Sequence, residues 1–298
     1  MPGSEGAPSS LEEAVEALRR AGLDPVLLRR LPYGRQLRLH ADGQTCRVNV
    51  YFSAKKGVSL VAAGGSPDLA DRALAAVSVP LPTGAWIGSD EAGKGDFFGA
   101  LTVCALCCPS GMGGVLRRMG ARDSKGMSRE GVRRVDADVR DSGLFPFRVE
   151  LMEPNEYNRS MERWKAEGGN SHDLLASMHG SAISHLLEEG CPATELVVDR
   201  FCRPARLSRH LPDDAPPLEM MVRGERNPAV AAAAILARQA YMDNLAVLSK
   251  EYAVDLSPGA GPPADRAAAR LVEIHGPDIL TRVCKTHFRN AKTILKDQ

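Results

Sequence analysis

Charge of one sign is what this chain lacks most: 38 Lys and Arg stand against 37 Asp and Glu, a net of +1. Bulk attraction to a polyanion is therefore excluded, and a nucleic-acid partner has to be met by local patches. Long apolar runs are missing as well. The longest, residues 100–108 and 229–236, fall far short of the roughly 18–20 residues a membrane helix needs, so no membrane partner is expected. Residues 1–10 are polar, carry Glu5 and contain no apolar h-region, which argues against a secretory signal. The expectation is a soluble, cytoplasmic monomer. Paired cysteine motifs are also absent. The seven cysteines are an odd number, and Cys104-Ala-Leu-Cys107 has no partner pair at zinc-site spacing, so they read as buried, reduced structural thiols.

What is present fits a globular protein. Hydrophobic residues make up 44% and charged residues 25% of 298, enough to bury a core in one large or two modest domains. Ser10-Leu-Glu-Glu13 reads as a capping box opening a helix with Leu11, Val15 and Leu18 on one face. Strand-like stretches follow at 35–40, 46–52 and 58–62. In the second, Val48, Val50 and Phe52 alternate with Arg47, Asn49 and Tyr51, which turns Phe52 to the core and Tyr51 outward. Asp42-Gly43 and Lys55-Lys56-Gly57 supply hairpin turns, and 67–77 reads as an Ala/Leu-rich helix. Residues 1–79 thus spell a small α+β domain. Two prolines and a glycine in 79–84 break the pattern, and a second domain spans 85–298. There, strands at 85–89, 100–107 and 196–198 alternate with helices near 174–187 and 229–248, the pattern of an α/β fold.

The chemistry concentrates where apolar strands end in acids. Ile87-Gly-Ser-Asp90-Glu91 runs into a Gly-rich turn, and Glu195-Leu-Val-Val-Asp199 repeats the pattern. Strands that stop at an acid deliver it to a sheet edge, where α/β proteins build their sites. Adjacent strand residues point to opposite faces, so Asp90 and Glu91 are expected to converge because the strand ends there. Hard divalent cations take clustered carboxylates, and three or four can hold two ions about 3.5–4 Å apart for in-line phosphodiester cleavage. Basic residues flank both acids: seven Lys/Arg against two acids between Arg117 and Arg134, and Arg200, Arg203, Arg206 and Arg209 after Asp199. Such runs suit phosphate contacts.

Asp90-Glu-Ala-Gly-Lys-Gly-Asp-Phe-Phe-Gly99 resembles the opening motif of the type 2 ribonucleases H, and its Gly-Asp-Phe-Phe-Gly ending resembles ribonuclease HIII in particular. Asp123-Ser-Lys125, Asn155-Glu-Tyr-Asn158, Val198-Asp-Arg-Phe201, the segment 230–238 and Lys285-Thr-His-Phe288 follow in family order. Tyr51-Phe-Ser-Ala-Lys-Lys-Gly57 is similar to a stretch of the family's small N-terminal domain, with Ala54 where glycine is usual. The resemblance implies a ribonuclease H-like mixed sheet flanked by helices, preceded by a TATA-box-binding-protein-like domain that binds substrate. It implies hydrolysis of the RNA strand of RNA/DNA hybrids with Mg²⁺ or Mn²⁺, two ions, leaving 5′-phosphate and 3′-hydroxyl ends.

By the same resemblance, Asp90, Glu91 and Asp199 map onto three of four catalytic, metal-holding carboxylates. The fourth is usually an aspartate ahead of the Val-Ala-Ala-Ala helix. Here Glu225 stands in place, with Asp243 later on that helix as the fallback. Gly93, Lys94 and Gly95 form the turn assigned to the ribose 2′-hydroxyl, the group that separates RNA from DNA. Lys94, Ser124 and Lys125 are expected near phosphates. Arg47, Tyr51, Lys55 and Lys56 form the expected grip of the N-terminal domain. His179, on an apolar helix face, reads as structural. Two other readings follow from the same residues: a ribonuclease HII-like nuclease acting at single embedded ribonucleotides, and a catalytically silent hybrid-binding protein.

Overall fold

The computed structural model describes residues 8–53, 57–78 and 81–296. The chain divides into two compact units, Met1–Leu81 and Pro82–Gln298. The first begins with α1 (Leu11–Arg20), whose Ser10 cap accepts from the Glu13 N–H at 3.1 Å. The Glu13 carboxylate reaches back to the backbone and hydroxyl of Ser9, one residue earlier than a strict capping box requires. Four antiparallel strands follow in sequence order: β1 (Asp24–Leu31), β2 (Gly34–Ala41), β3 (Gln44–Ser53) and β4 (Gly57–Gly65). Then comes α2 (Pro67–Val77), capped by Ser66.

The sheet has four strands where the sequence suggests three. β1 escapes detection because Val26, Leu27 and Leu28 are consecutive apolar residues, all exposed on an edge strand with a bulge after Leu27, so no period of two develops. Asp42 and Gly43, both at positive φ, make the two-residue turn that joins Ala41 to its partner Gln44. The turn expected at Lys55-Lys56 falls on residues 54–56, outside the described residues. The helices cover one sheet face with Leu18, Leu39, Val48, Val50, Leu69 and Ala73, and Phe52 packs against the same core. The other face carries Arg38 opposite Arg47 and Gln36 opposite Asn49, with Tyr51 beyond.

The second unit runs β5 (Ala85–Ala92), β6 (Leu101–Cys108), α3 (Gly113–Met119), α4 (Arg129–Ser142), β7 (Phe147–Met152), α5 (Pro154–Ala166), α6 (Ser171–Glu188) and β8 (Ala193–Asp199). It continues through α7 (Pro204–Ser208), β9 (Leu218–Met221), α8 (Pro228–Glu251), α9 (Pro262–His275), α10 (Leu280–Val283) and α11 (Arg289–Lys296). Its sheet has the order β7-β6-β5-β8-β9, with β5 antiparallel to β6 and parallel to β8. This is a mixed sheet between helices. One face meets α6 through Ile87, Val103, Leu175, Ile183, Leu196 and Val198. The other meets α8, whose Ala229–Ala237 stretch is buried throughout.

The α8 contact is unusually close because β5 offers a glycine. A Cβ on Gly88 would lie 2.4 Å from the Ala229 carbonyl carbon and the Val230 nitrogen, so only glycine lets the helix start there. Asn227 fastens the same point. Its Oδ1 caps α8 by accepting from Ala229 N–H at 3.0 Å, and it also accepts from the Trp86 indole of β5 at 3.1 Å.

The cysteines depart from expectation at one place. Cys107 of β6 and Cys191, just beyond α6, form a disulfide across 84 residues, with Cα atoms 6.6 Å apart. The C-x-x-C spacing is uninformative because the partner is distant in sequence and brought near by α6 packing on β6. Cys46, Cys104, Cys108 and Cys284 are buried free thiols.

The Gly88 contact gives a direct test. Gly88→Val drives a side chain into the α8 backbone and should cost about 3 kcal/mol, read as a lowered denaturant midpoint. A loss below about 1 kcal/mol would show that α8 can shift away at little cost.

Candidate active site

The site starts from the strand register. The parallel ladder of β5 and β8 ends at Ser89 opposite Val198, so Asp90 and Asp199 are the next residues on each strand, side by side. Alternation turns both toward α8, the side Gly88 faces. Glu91, one step on, turns to the α6 side, where its Oε2 meets His179 Nε2 at 3.3 Å. The expectation that Asp90 and Glu91 converge by fraying is therefore corrected. β5 continues to Ala92, and the two acids flank the strand end from opposite faces. The chain leaves at Gly93, whose φ of 83° and missing Cβ are both required, since a Cβ would sit 2.2 Å from the Ala100 carbonyl oxygen.

Each acid is held by a different device. Glu91 N–H donates to Asp90 Oδ1 at 2.7 Å, and Gly224 N–H donates to Asp199 Oδ1 at 2.8 Å. Burial, then the neighbouring charges of Glu91 and Asp199, push the Asp90 carboxyl well above the ordinary range. Burial acts on Glu91 in the same sense, but the hydrogen bond and charge of His179, followed by Lys94, outweigh it and hold that carboxyl at about 2. The edge thus makes one carboxyl harder to ionise than the other, the mark of acids crowded without enough positive charge.

Glu225 lies in the short turn Gly224–Arg226, one residue from the N–H that holds Asp199. Asp243 accepts from Gln239 at 2.8 Å, and its charge acts on Asp136 of α4. The fallback ligand is therefore turned toward α4, while Ala234, Arg238 and Tyr241 of the same helix line the cleft. Among the described residues, no three His, Cys, Asp or Glu side chains close around one point as a finished cation cage. The donor set is nonetheless all hard carboxylate oxygen, which suits Mg²⁺ or Mn²⁺ better than softer metals.

The cleft beside these acids has a volume of about 560 Å³ and is lined by Glu91, Lys94, Lys125, Asp199, Phe201 and Arg238 among others. Lys94 Nζ pairs with Glu91 Oε1 at 3.2 Å. Gly95 has nothing within 4 Å of where a Cβ would stand, so that side of the turn is open. Ser124 is buried and Lys125 exposed in the short turn Ser124–Gly126. Asp123 caps that turn, the Arg238 guanidinium donates to the Ser124 carbonyl, and the Lys125 charge acts on Asp90. Arg47 and Tyr51 belong to the other unit, and Lys55 and Lys56 lie outside the described residues.

Three residues matter more than their sequence context shows. Arg238 pins the Lys125 turn. His179 is fully buried and contacts Glu91; its signal is a polar residue on the apolar stripe of Leu175, Met178, Ala182 and Leu186. Lys285 is fully buried, and its Nζ donates to the carbonyls of Asp96, Phe98 and Gly99 at 3.0, 3.3 and 2.6 Å. It ties down the segment that follows the Gly93–Gly95 turn.

The fold is shared with solved ribonucleases H. Bst-RNase HIII in complex with Mn²⁺ covers 97% of this chain and 97% of its own at a TM-score of 0.68 and 23% identity. Aquifex aeolicus RNase H3 covers 96% of this chain and 99% of its own at 0.56 and 22%. In sequence, the ribonuclease HII family model matches residues 87–291. The ribonuclease HIII of Exiguobacterium sibiricum is 32% identical over 263 residues, 83% of either chain. That of Listeria monocytogenes is 33% identical over 217, covering 70% of this chain and 68% of its own. The chain belongs to the ribonuclease HII family, close to its ribonuclease HIII members, and is a ribonuclease H-type endoribonuclease.

Lys285 yields a test of the site's scaffold. Lys285→Met removes a donor from the carbonyls of Asp96, Phe98 and Gly99, the last two buried, and should cost about 3 kcal/mol. Burial holds the ammonium at about 8 against an ordinary 10.5, with Asp96 opposing. Between those values the unfolded chain binds more protons than the folded one, so the Lys285 share of stability grows as pH rises from about 8 toward 10.5. The stability gap between wild type and Lys285→Met should widen over that window in denaturant melts. A gap that narrows would contradict the burial of a charged amine there.

Proposed function

We propose that this protein hydrolyses the RNA strand of RNA/DNA hybrids, leaving 5′-phosphate and 3′-hydroxyl ends. The observation that carries the reading is the side-by-side exit of Asp90 and Asp199 from parallel strands, with the ionised Glu91 one residue further on. Mg²⁺ or Mn²⁺, two ions held by Asp90, Glu91, Asp199 and Glu225, would supply the activated water and the charge neutralisation that phosphodiester cleavage needs. The protein's own residues do the remaining work. The Gly93-Lys94-Gly95 turn lets backbone approach a ribose closely enough to read its 2′-hydroxyl. Lys94, Lys125 and Ser124 bind flanking phosphates, and Arg238 keeps the Lys125 turn rigid. The presence of Asp90, Glu91 and Asp199 favours an active enzyme over a silent hybrid binder, the reading that Glu225 in place of the usual aspartate would suit.

The N-terminal unit grips the duplex through the sheet face that its helices leave uncovered. Arg47 and Tyr51 lie on that face, and Arg38, directly across from Arg47, joins them; Lys55 and Lys56, outside the described residues, complete the grip the sequence suggests. Guanidinium groups on an open sheet suit phosphates and a shallow groove, without reading sequence.

Two experiments test the reading. On a labelled hybrid with at least four ribonucleotides, Asp90→Asn, Asp199→Asn and Glu225→Gln should each lower kcat about 100-fold or more while leaving hybrid affinity in place. A Glu225→Gln enzyme at wild-type rate would remove Glu225 from the ligand set. Preference for a duplex with one embedded ribonucleotide would favour the ribonuclease HII-like specificity. For the N-terminal grip, Arg38→Ala with Arg47→Ala should raise KM several-fold at unchanged kcat and flatten the salt dependence of affinity by about two phosphate contacts. Unchanged KM with a fallen kcat would assign that sheet face another role.

A further inference from the structure

Glu91, unlike Asp90 and Asp199, has its carboxylate aimed by a side chain from another layer of the fold. His179 of α6 is fully buried and faces the sheet. Its Nε2 lies 3.3 Å from Glu91 Oε2, and its Nδ1 lies 2.7 Å from the Ser89 hydroxyl, which also bonds the Cys104 carbonyl at 2.8 Å. The imidazole is stacked on Phe201, centroids 4.8 Å apart and planes 16° from parallel. Phe201 follows Asp199 by two residues, and Lys94 Nζ, which holds the other oxygen of Glu91, sits 5.4 Å from that same ring. Serine, histidine, phenylalanine and lysine thus fix both oxygens of one carboxylate. An ionised carboxylate only accepts, so Nε2 carries the hydrogen whichever way the Ser89 hydroxyl points.

We infer that His179 is a positioning residue, braced by Ser89 and Phe201, that sets the orientation of the Glu91 carboxylate for the divalent cation. This rests on the metal-dependent reading above. The physical case is that of any outer partner of a cation ligand: its loss lets the carboxylate rotate, which weakens ion binding and misplaces charge without touching the substrate. Any buried histidine pairs its ring nitrogens; what points beyond core filling here is that one partner is the Glu91 carboxylate at the cleft.

The test compares His179→Phe, which keeps the ring stack and removes the donor, with His179→Gln, which can return an N–H near Nε2. Mn²⁺ binding to the substrate-free protein, followed by electron paramagnetic resonance, should weaken about 10–100-fold in His179→Phe and recover substantially in His179→Gln. On the hybrid, kcat should fall in parallel for His179→Phe while KM and metal-free hybrid affinity stay within about twofold. A folded His179→Phe with wild-type Mn²⁺ binding and kcat would overturn the inference. If the variant does not fold, nitrogen-15 spectra of the wild-type imidazole decide: hydrogen on Nε2 supports the inference, and a bare Nε2 overturns it. A wild-type protein that binds no Mn²⁺ and cleaves no hybrid would instead sink the functional reading itself, while the imidazole spectra still report the Glu91 contact.

Discussion

Everything at the carboxylate edge depends on how near α8 comes to β5. Helices ordinarily stand about 10 Å from a sheet because side chains fill the gap. Here Gly88 has no side chain, and six of the nine residues 229–237 are alanines with nothing beyond Cβ, so at Ala229 and Val230 the helix backbone comes against the strand. Asn227 then joins the two elements by capping the helix and accepting from Trp86. The turn just before that cap is consequently delivered against Asp199, where Gly224 can donate to its carboxylate and Glu225 follows. Thr102 of β6 adds a second fastening by donating to the Ala237 carbonyl at 2.9 Å. A shift of α8 by even one methyl group would move Glu225, the Arg238 pin and the floor of the cleft together.

The electrostatics follow from that packing. An apolar sheet and an alanine-rich helix behind the acids raise the cost of ionising them, and Asp90 bears it most strongly. Glu91 escapes because its side of the strand holds the cationic and hydrogen-bonding partners, His179 and Lys94. Crowded carboxyls that burial makes costly to ionise create a demand for positive charge at the strand ends. The flanking Lys125 answers part of it across the cleft.

Local patterns in the chain carried much of the architecture. Alternation along β3 assigned Phe52 inward and Tyr51 outward, and the core shows Phe52 in place. Apolar strands that stop at an acid pointed to Asp90 and Asp199, and the register brings them together. β1 was illegible because an exposed edge strand has no buried face to impose a period of two. The Cys107–Cys191 bond was illegible for a different reason: its partners are 84 residues apart, and only the seating of α6 against β6 joins them. His179 was legible as buried, since it stands on an apolar stripe, yet what it touches lies 88 residues away.

The sequence by itself determined the strongly patterned helices and strands, the acids near strand ends, and, through its motifs, the family to which the chain belongs. Those properties depend on neighbours one to four residues apart, a range that backbone periodicity and turn chemistry cover. The tertiary structure alone decided that Asp90 and Glu91 leave β5 on opposite faces with different partners, that Glu225 adjoins the Gly224 N–H bonded to Asp199 while Asp243 pairs with Gln239, and that Lys285 and His179 are buried against the Gly93–Gly99 segment and Glu91. These depend on contacts between elements dozens of residues apart, set by the close seating of α8 and α6 on the sheet, and no local pattern encodes them.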